Sequence, residues 1–191
     1  YNKIETIKSN INKGKITFGE AAMQKSEDPS AKSNMGRLGY FTSLQMVYPF
    51  ENAAYNTPEG EVSGIVRTRF GFHILYVHEK RDARGEIRAA HIMVKVDEKA
   101  SEPEAMKARA KIDEIYSELE TQGDFGKLAI QYSDDKSSSR NKGELPWFGT
   151  GKMVQEFEDE AFSLNADGDY SKPFRTKYGW HIVQRLEMKG L

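Results

Sequence analysis

The sequence predicts an α+β protein made of two related domains, each with a small, mainly antiparallel sheet surrounded by helices. One observation is a ten-residue stretch that occurs twice, Val66-Arg67-Thr68-Arg69-Phe70-Gly71-Phe72-His73-Ile74-Leu75 and Phe174-Arg175-Thr176-Lys177-Tyr178-Gly179-Trp180-His181-Ile182-Val183. Each copy reads as a tight Gly turn handing the chain to a strand with one His on a single face. A second observation is the constant offset of 107 that pairs Phe18 with Phe125, Ser26 with Ser133, Gly36 with Gly143, Met46 with Met153 and Phe50 with Phe157. One inserted residue then makes the offset 108 for Gly60 with Gly168 and His73 with His181. Solenoid units repeat every ~20 to 50 residues, so a period this long points to duplicated domains. The third observation is the order of elements in the later copy, which reads strand, helices, strand, helix, strand, strand.

Ile4, Ile7 and Ile11 recur at helical spacing before Gly14 and predict the tail of an amphipathic helix. The chain is expected to start within that element. The counterpart of a later His, His91, would fall upstream of residue 1, so the first domain is expected to lack its opening strand and to be part of a longer parent protein. A short helix follows at Phe18, Ala21 and Ala22, and Phe125, Leu128, Ala129 and Tyr132 form its cleaner counterpart. Residues 1–80 are read as the first domain, the polar segment 81–87 as a linker and 88–191 as the second domain. In the latter, Arg88 to Val96 alternates as a strand, with Ala90, Ile92 and Val94 on one face and His91 and Met93 on the other. Ser101 and Glu104 form a capping-box pattern that opens a helix with the stripe Ala105, Ala108, Ile112, Ile115 and Leu119. Residues 137–143 read as a loop, 145–148 as a short strand, and Phe157, Ala161 and Leu164 as a further helix. Residues 171–174 and 180–186 complete the domain as two strands joined through Gly179.

The 28 Lys and Arg nearly balance the 29 Asp and Glu, so no long-range field favours nucleic acid or an anionic membrane as partner. The absence of Cys removes disulfides, thiolate catalysis and cysteine zinc sites, and leaves the compartment open. No apolar run approaches the ~20 residues of a membrane span, so membrane insertion is not expected.

The strand His91-Ile92-Met93-Val94, the turn Tyr132-Ser133-Asp134-Asp135, the run Gly143-Glu144-Leu145-Pro146-Trp147-Phe148, the segment Met153 to Phe157 with Glu158 after it, and Tyr178-Gly179-Trp180-His181-Ile182 follow one another in order. This set resembles the parvulin family of peptidyl-prolyl cis/trans isomerases across residues 88–186. The resemblance implies two parvulin-like domains, each a four-stranded, mainly antiparallel sheet with about four helices. It also implies that paired histidines fall on His91 and His181, an acidic position on Asp135, and the proline pocket on Leu145, Met153 and Phe157, with Thr176 and Tyr178 beside the site. In the first domain it reaches Asp28, Leu38, Met46, Phe50, Thr68, Phe70 and His73. Pro146 stands where the family usually has Gly.

An Xaa-Pro bond isomerises over about 18–20 kcal/mol of amide resonance, and no bond to carbon need be made or broken. An apolar trio that grips the pyrrolidine ring, with a histidine network beside it, meets that requirement. The serines at 137–139 read as turn formers. His91, His181 and Asp135 lack any short metal-ligand spacing, so neither a metal nor a cofactor is expected. Two classes of function stay open, an isomerase acting on unfolded or extended proline-containing polypeptides and a non-catalytic peptide-binding chaperone using the same grooves. Tandem units of this kind resemble exported bacterial foldases, which implies a monomeric protein of the periplasm or cell envelope, with a cytoplasmic isomerase as the other reading.

Overall fold

The computed structural model describes residues 1–190, apart from the side chain of Gln122. They fall into two compact units, Tyr1–Asp82 and the residues from Ala83 onward. In the first unit, helices α1 (Asn2–Asn12), α2 (Phe18–Lys25), α3 (Ala31–Asn34) and α4 (Tyr48–Asn56) precede an antiparallel hairpin of β1 (Val66–Thr68) and β2 (Gly71–His73). Thr17 and Glu20 cap α2 reciprocally, which fixes its start. Outside the hairpin an isolated bridge joins Val62 to Tyr76, so among the described residues this unit holds a two-stranded sheet, short of the four-stranded sheet less its opening strand that the sequence predicts.

The second unit is built on β3 (Glu86–Lys95) and β5 (Gly179–Lys189), with β4 (Phe174–Thr176) on the far side of β5. Both neighbouring pairs are antiparallel, and His91 lies opposite Val183 while Met93 lies opposite His181. One face, carrying Ala90, Ile92, Val94 and Ile182, packs on α5 (Glu102–Gln122) and α6 (Phe125–Tyr132) through Ile112, Ile115, Leu119, Phe125 and Leu128. The other face, carrying Ile87, Ala89 and Val183, packs on α7 (Gln155–Ser163) through Phe157 and Ala161. Each fully buried Ile or Leu contributes about 1.5–3 kcal/mol of transfer free energy. The helix α5 begins as its sequence implies, with the Glu104 carboxylate accepting from the N–H and hydroxyl of Ser101 at 2.9 and 2.7 Å.

Two expectations need correction. The strand β3 starts at Glu86 and not at Arg88, because Ile87, read as linker, is fully buried in the second core. Residues 145–148 do not form a continuous strand. The segment meets β3 only through the bridges Ala90 to Glu144 and Ile87 to Phe148, leaving a three-stranded sheet in place of four. Pro146, between those contacts, has no N–H to continue a ladder. Among the described residues, three α-helices and a 3-10 turn at Ser139–Asn141 accompany this sheet.

Candidate active site

His91 and His181 occupy diagonal positions on β3 and β5, on the face that α7 covers. Their rings are nearly parallel, with centroids 5.7 Å apart and an interplanar angle of 15°. Phe157 of α7 presents its ring edge-on to both, at 5.5 Å from His91 and 5.7 Å from His181, and Phe174 stacks on His181 at 5.5 Å. Leu145 and Met153 pack half-buried against the apolar cluster that contains Phe157.

Asp135 sits at the His91 end. Its Oδ1 accepts from the Ser137 N–H at 3.0 Å and the Ser137 hydroxyl at 2.6 Å. Its Oδ2 accepts from the Ser138 hydroxyl at 2.5 Å and from His91 Nε2 at 2.7 Å. Four donors occupy the approximately four lone-pair sites of a carboxylate, so Asp135 is saturated within the protein. Burial alone would raise its pKa, but the bonds from Ser137, Ser138 and His91 outweigh this and hold it well below the usual carboxylate range. An ionised carboxylate only accepts, so His91 carries its proton on Nε2.

At the other end Thr176 Oγ1 accepts the Tyr178 N–H at 3.1 Å and bonds His181 Nε2 at 2.8 Å. Burial is the main cause that pushes His181 down to about 3, with His91 and Arg175 adding to it and Asp135 opposing. His91 is lowered by burial against the opposing bond and charge of Asp135. Both rings are therefore neutral near pH 7, and the buried Nδ1 of each has no hydrogen-bond partner among the described residues.

Backbone geometry brings these groups together. Gly143 has φ +77°, and a Cβ there would run into the His91 carbonyl and meet the Ala129 side chain at 3.0 Å. Only glycine lets the residue 143 loop lie against β3, where the His91 N–H donates to the Gly143 carbonyl at 2.8 Å.

The family described as Rotamase: PPIC-type PPIASE domain matches residues 1–79 and 91–187. The chain belongs to the PPIC-type peptidyl-prolyl isomerase family. Among relatives of this chain, Chaperone SurA of Xylella fastidiosa strain 9a5c is 35% identical over 194 residues, covering 96% of the chain and 41% of the relative. Chaperone SurA of Pseudomonas aeruginosa is 35% identical over 173 residues, covering 88% of the chain and 40% of the relative. The chain thus spans about two fifths of the length of the curated relatives it matches. A crystal structure of the peptidylprolyl isomerase PrsA from Bacillus cereus is 36% identical, with a TM-score of 0.46, and covers 56% of this chain and 37% of that one.

Of the site residues expected from sequence, the structure gathers His91, Asp135, Thr176, His181, Leu145, Met153 and Phe157. Tyr178 lies beside them through its N–H bond to Thr176, but its ring does not join them. It is 54% exposed on the turn after Thr176, and Lys177 Nζ lies 5.1 Å from its ring centroid. Sequence reasoning missed Ser137 and Ser138 by treating them as turn formers. Ser138 is buried, and its hydroxyl lies 3.1 Å from His91 Nε2 as well as against Asp135. A serine pair two and three residues after an acidic residue expected in a site was the available signal.

The first unit repeats half of this arrangement. Thr68 Oγ1 bonds His73 Nε2 at 2.7 Å and accepts the Phe70 N–H at 3.1 Å, while Phe50 is edge-on to His73 at 5.6 Å. Asp28 accepts from the N–H and hydroxyl of Ser30, both at 2.8 Å. Met46 and Phe50 are half-buried, whereas Leu38 and Phe70 are 47% and 70% exposed.

Proposed function

We propose that the second unit catalyses cis/trans isomerisation of Xaa-Pro bonds in unfolded or extended polypeptides. The observation that carries this reading is the neutral His91–His181 pair flanked by Phe157, Leu145 and Met153 and tied at both ends to side chains that fix it. The apolar trio grips the pyrrolidine ring, worth about 1.5–3 kcal/mol by analogy with Val or Leu, which suits transient binding. Excluding water weakens the charge-separated resonance form of the amide, and the carbonyl arm can then rotate past 90° without covalent chemistry. With its lone pairs already occupied, Asp135 acts through His91, holding its ring and tautomer, in place of touching the peptide. Thr176 does the same for His181. The residues together form an oriented network and not a nucleophile system.

The two units correspond in this reading to tandem parvulin-like domains, Tyr1–Asp82 and the part from Ala83. A second role fits the first unit. It keeps Phe50, Met46 and the Thr68–His73 bond and exposes Leu38 and Phe70, which suits peptide binding without turnover. Relatives named chaperones are in keeping with such a role, and we place the protein in the bacterial envelope, acting as a monomer on exported chains. Among the described residues no helix is long and apolar enough to cross a membrane.

Exchange NMR on a short Xaa-Pro peptide with catalytic amounts of the whole chain tests the reading. Faster exchange that Asp135→Ala loses is expected. Line broadening of the peptide without faster exchange would overturn the isomerase and leave a binding groove.

A further inference from the structure

The Met153 wall of the pocket lies on a loop, residues 149–154, whose backbone donors need acceptors. The residue at the start of the following helix α7 is Val154, whose side chain cannot accept a hydrogen bond. The acceptor comes instead from one turn inside the helix. Glu158 is buried, 3% exposed, and its Oε1 accepts from the Lys152 N–H and the Met153 N–H, both at 2.9 Å. Its Oε2 faces Arg84 Nη2 at 3.7 Å. The Arg84 guanidinium is itself held by Asp159 at 2.9 Å and lies 4.4 Å from the Phe162 ring centroid, both also on α7. Glu158 follows Phe157 directly, so one helix supplies a pocket wall and the clamp for the opposite wall.

We propose that Glu158 is a positioning residue for the substrate pocket: it fixes the backbone at Met153, and Arg84, in the segment leading into β3, holds its carboxylate in place. This rests on the reading of the second unit as a prolyl-peptide site. The repeat holds a related contact: at the offset of 107, Glu51 of the first unit accepts the N–H of Leu44, the counterpart of Gly151, at 2.8 Å, in a unit that also holds Phe50 and Met46. Freed from Glu158, the Met153 N–H would turn to water and the Lys152 N–H would keep only its longer bond to the Gly149 carbonyl at 3.3 Å, so the loop would exchange among several conformations and the pocket would have to be ordered on binding.

The test uses the whole chain as wild type, Glu158→Gln, Glu158→Asp and Glu158→Ala. Amide exchange at Lys152 and Met153, the dissociation constant for an Xaa-Pro peptide and the isomerisation rate at saturating peptide are measured by NMR. Glu158→Gln keeps a carbonyl oxygen for both donors and should stay within about two-fold of wild type in affinity. Glu158→Ala should expose the Met153 amide, and the Lys152 amide to a lesser degree, and weaken affinity about ten-fold, the equivalent of about 1.4 kcal/mol, with the saturated rate within about two-fold. Glu158→Asp keeps the charge that Arg84 faces but withdraws the acceptor, so it decides the matter if the alanine variant unfolds. Freed amides in Glu158→Asp with unchanged peptide affinity would overturn the proposal. Should wild type bind peptide without accelerating exchange, the isomerase reading falls while the affinity comparison still decides the role of Glu158.

Discussion

Acidification from pH 7.5 to 5 should destabilise the second unit through His181, and the structure sets the size of the effect. Burial holds the native imidazole at about 3, against 6.5 when unfolded. A base with a depressed native pKa gives stability that is full above the unfolded value and is lost as pH falls below it, because the unfolded state then binds the proton. At pH 5 the native ring is still neutral, so the loss depends on the unfolded value alone. One and a half pH units at ~1.4 kcal/mol per unit give about 2 kcal/mol. His91, lowered in the same direction, adds to it. Both tryptophans, Trp147 and Trp180, lie in the second unit, so urea unfolding followed by tryptophan fluorescence reports on that unit. Wild type should lose about 2 kcal/mol more than His181→Gln between the two pH values. A native His181 that titrates near 6.5 by NMR, or equal losses in the two proteins, would refute the reasoning.

Other substitutions probe the remaining contacts. Ser138→Ala removes a charge-assisted bond to Asp135 and should cost about 1.5–3 kcal/mol in urea unfolding, raise the Asp135 pKa and slow isomerisation; an unchanged carboxyl shift in a pH titration would count against it. Thr176→Val leaves the buried His181 Nε2 without its partner and should cost about 1–3 kcal/mol and reduce turnover, while Thr68→Val should leave turnover intact, and equal loss in both would place activity in the first unit as well. Phe157→Ala should destabilise by about 3–5 kcal/mol, and the milder Phe157→Leu, folded at 25 °C, should still weaken peptide affinity; unchanged affinity would remove Phe157 from the pocket.

Much of the architecture was legible because periodicity and repetition are local or additive signals. The alternation of Ala90, Ile92 and Val94 against His91 assigned the faces of β3 correctly, since a strand's side chains must alternate. The stripe from Ala105 to Leu119 and the Ser101–Glu104 cap likewise gave α5, and the offset of 107 located the second set of site residues before any geometry. Boundaries set by long-range contacts were not legible. Ile87 looked like linker because its burial depends on Phe148 and Val183, and the 145–148 segment looked like a strand because the break in its ladder depends on where Pro146 meets β3.

How the residues of the candidate site are held is a finer matter. The sequence by itself determined the residue types, their order and the duplication, and with them the family. Only the tertiary structure decided that Asp135 is saturated by Ser137, Ser138 and His91, that Tyr178 turns to solvent, and that Glu158 reaches back to the Met153 loop. Hydrogen bonds act over about 3 Å and depend on direction, so their partners emerge only once the chain has folded.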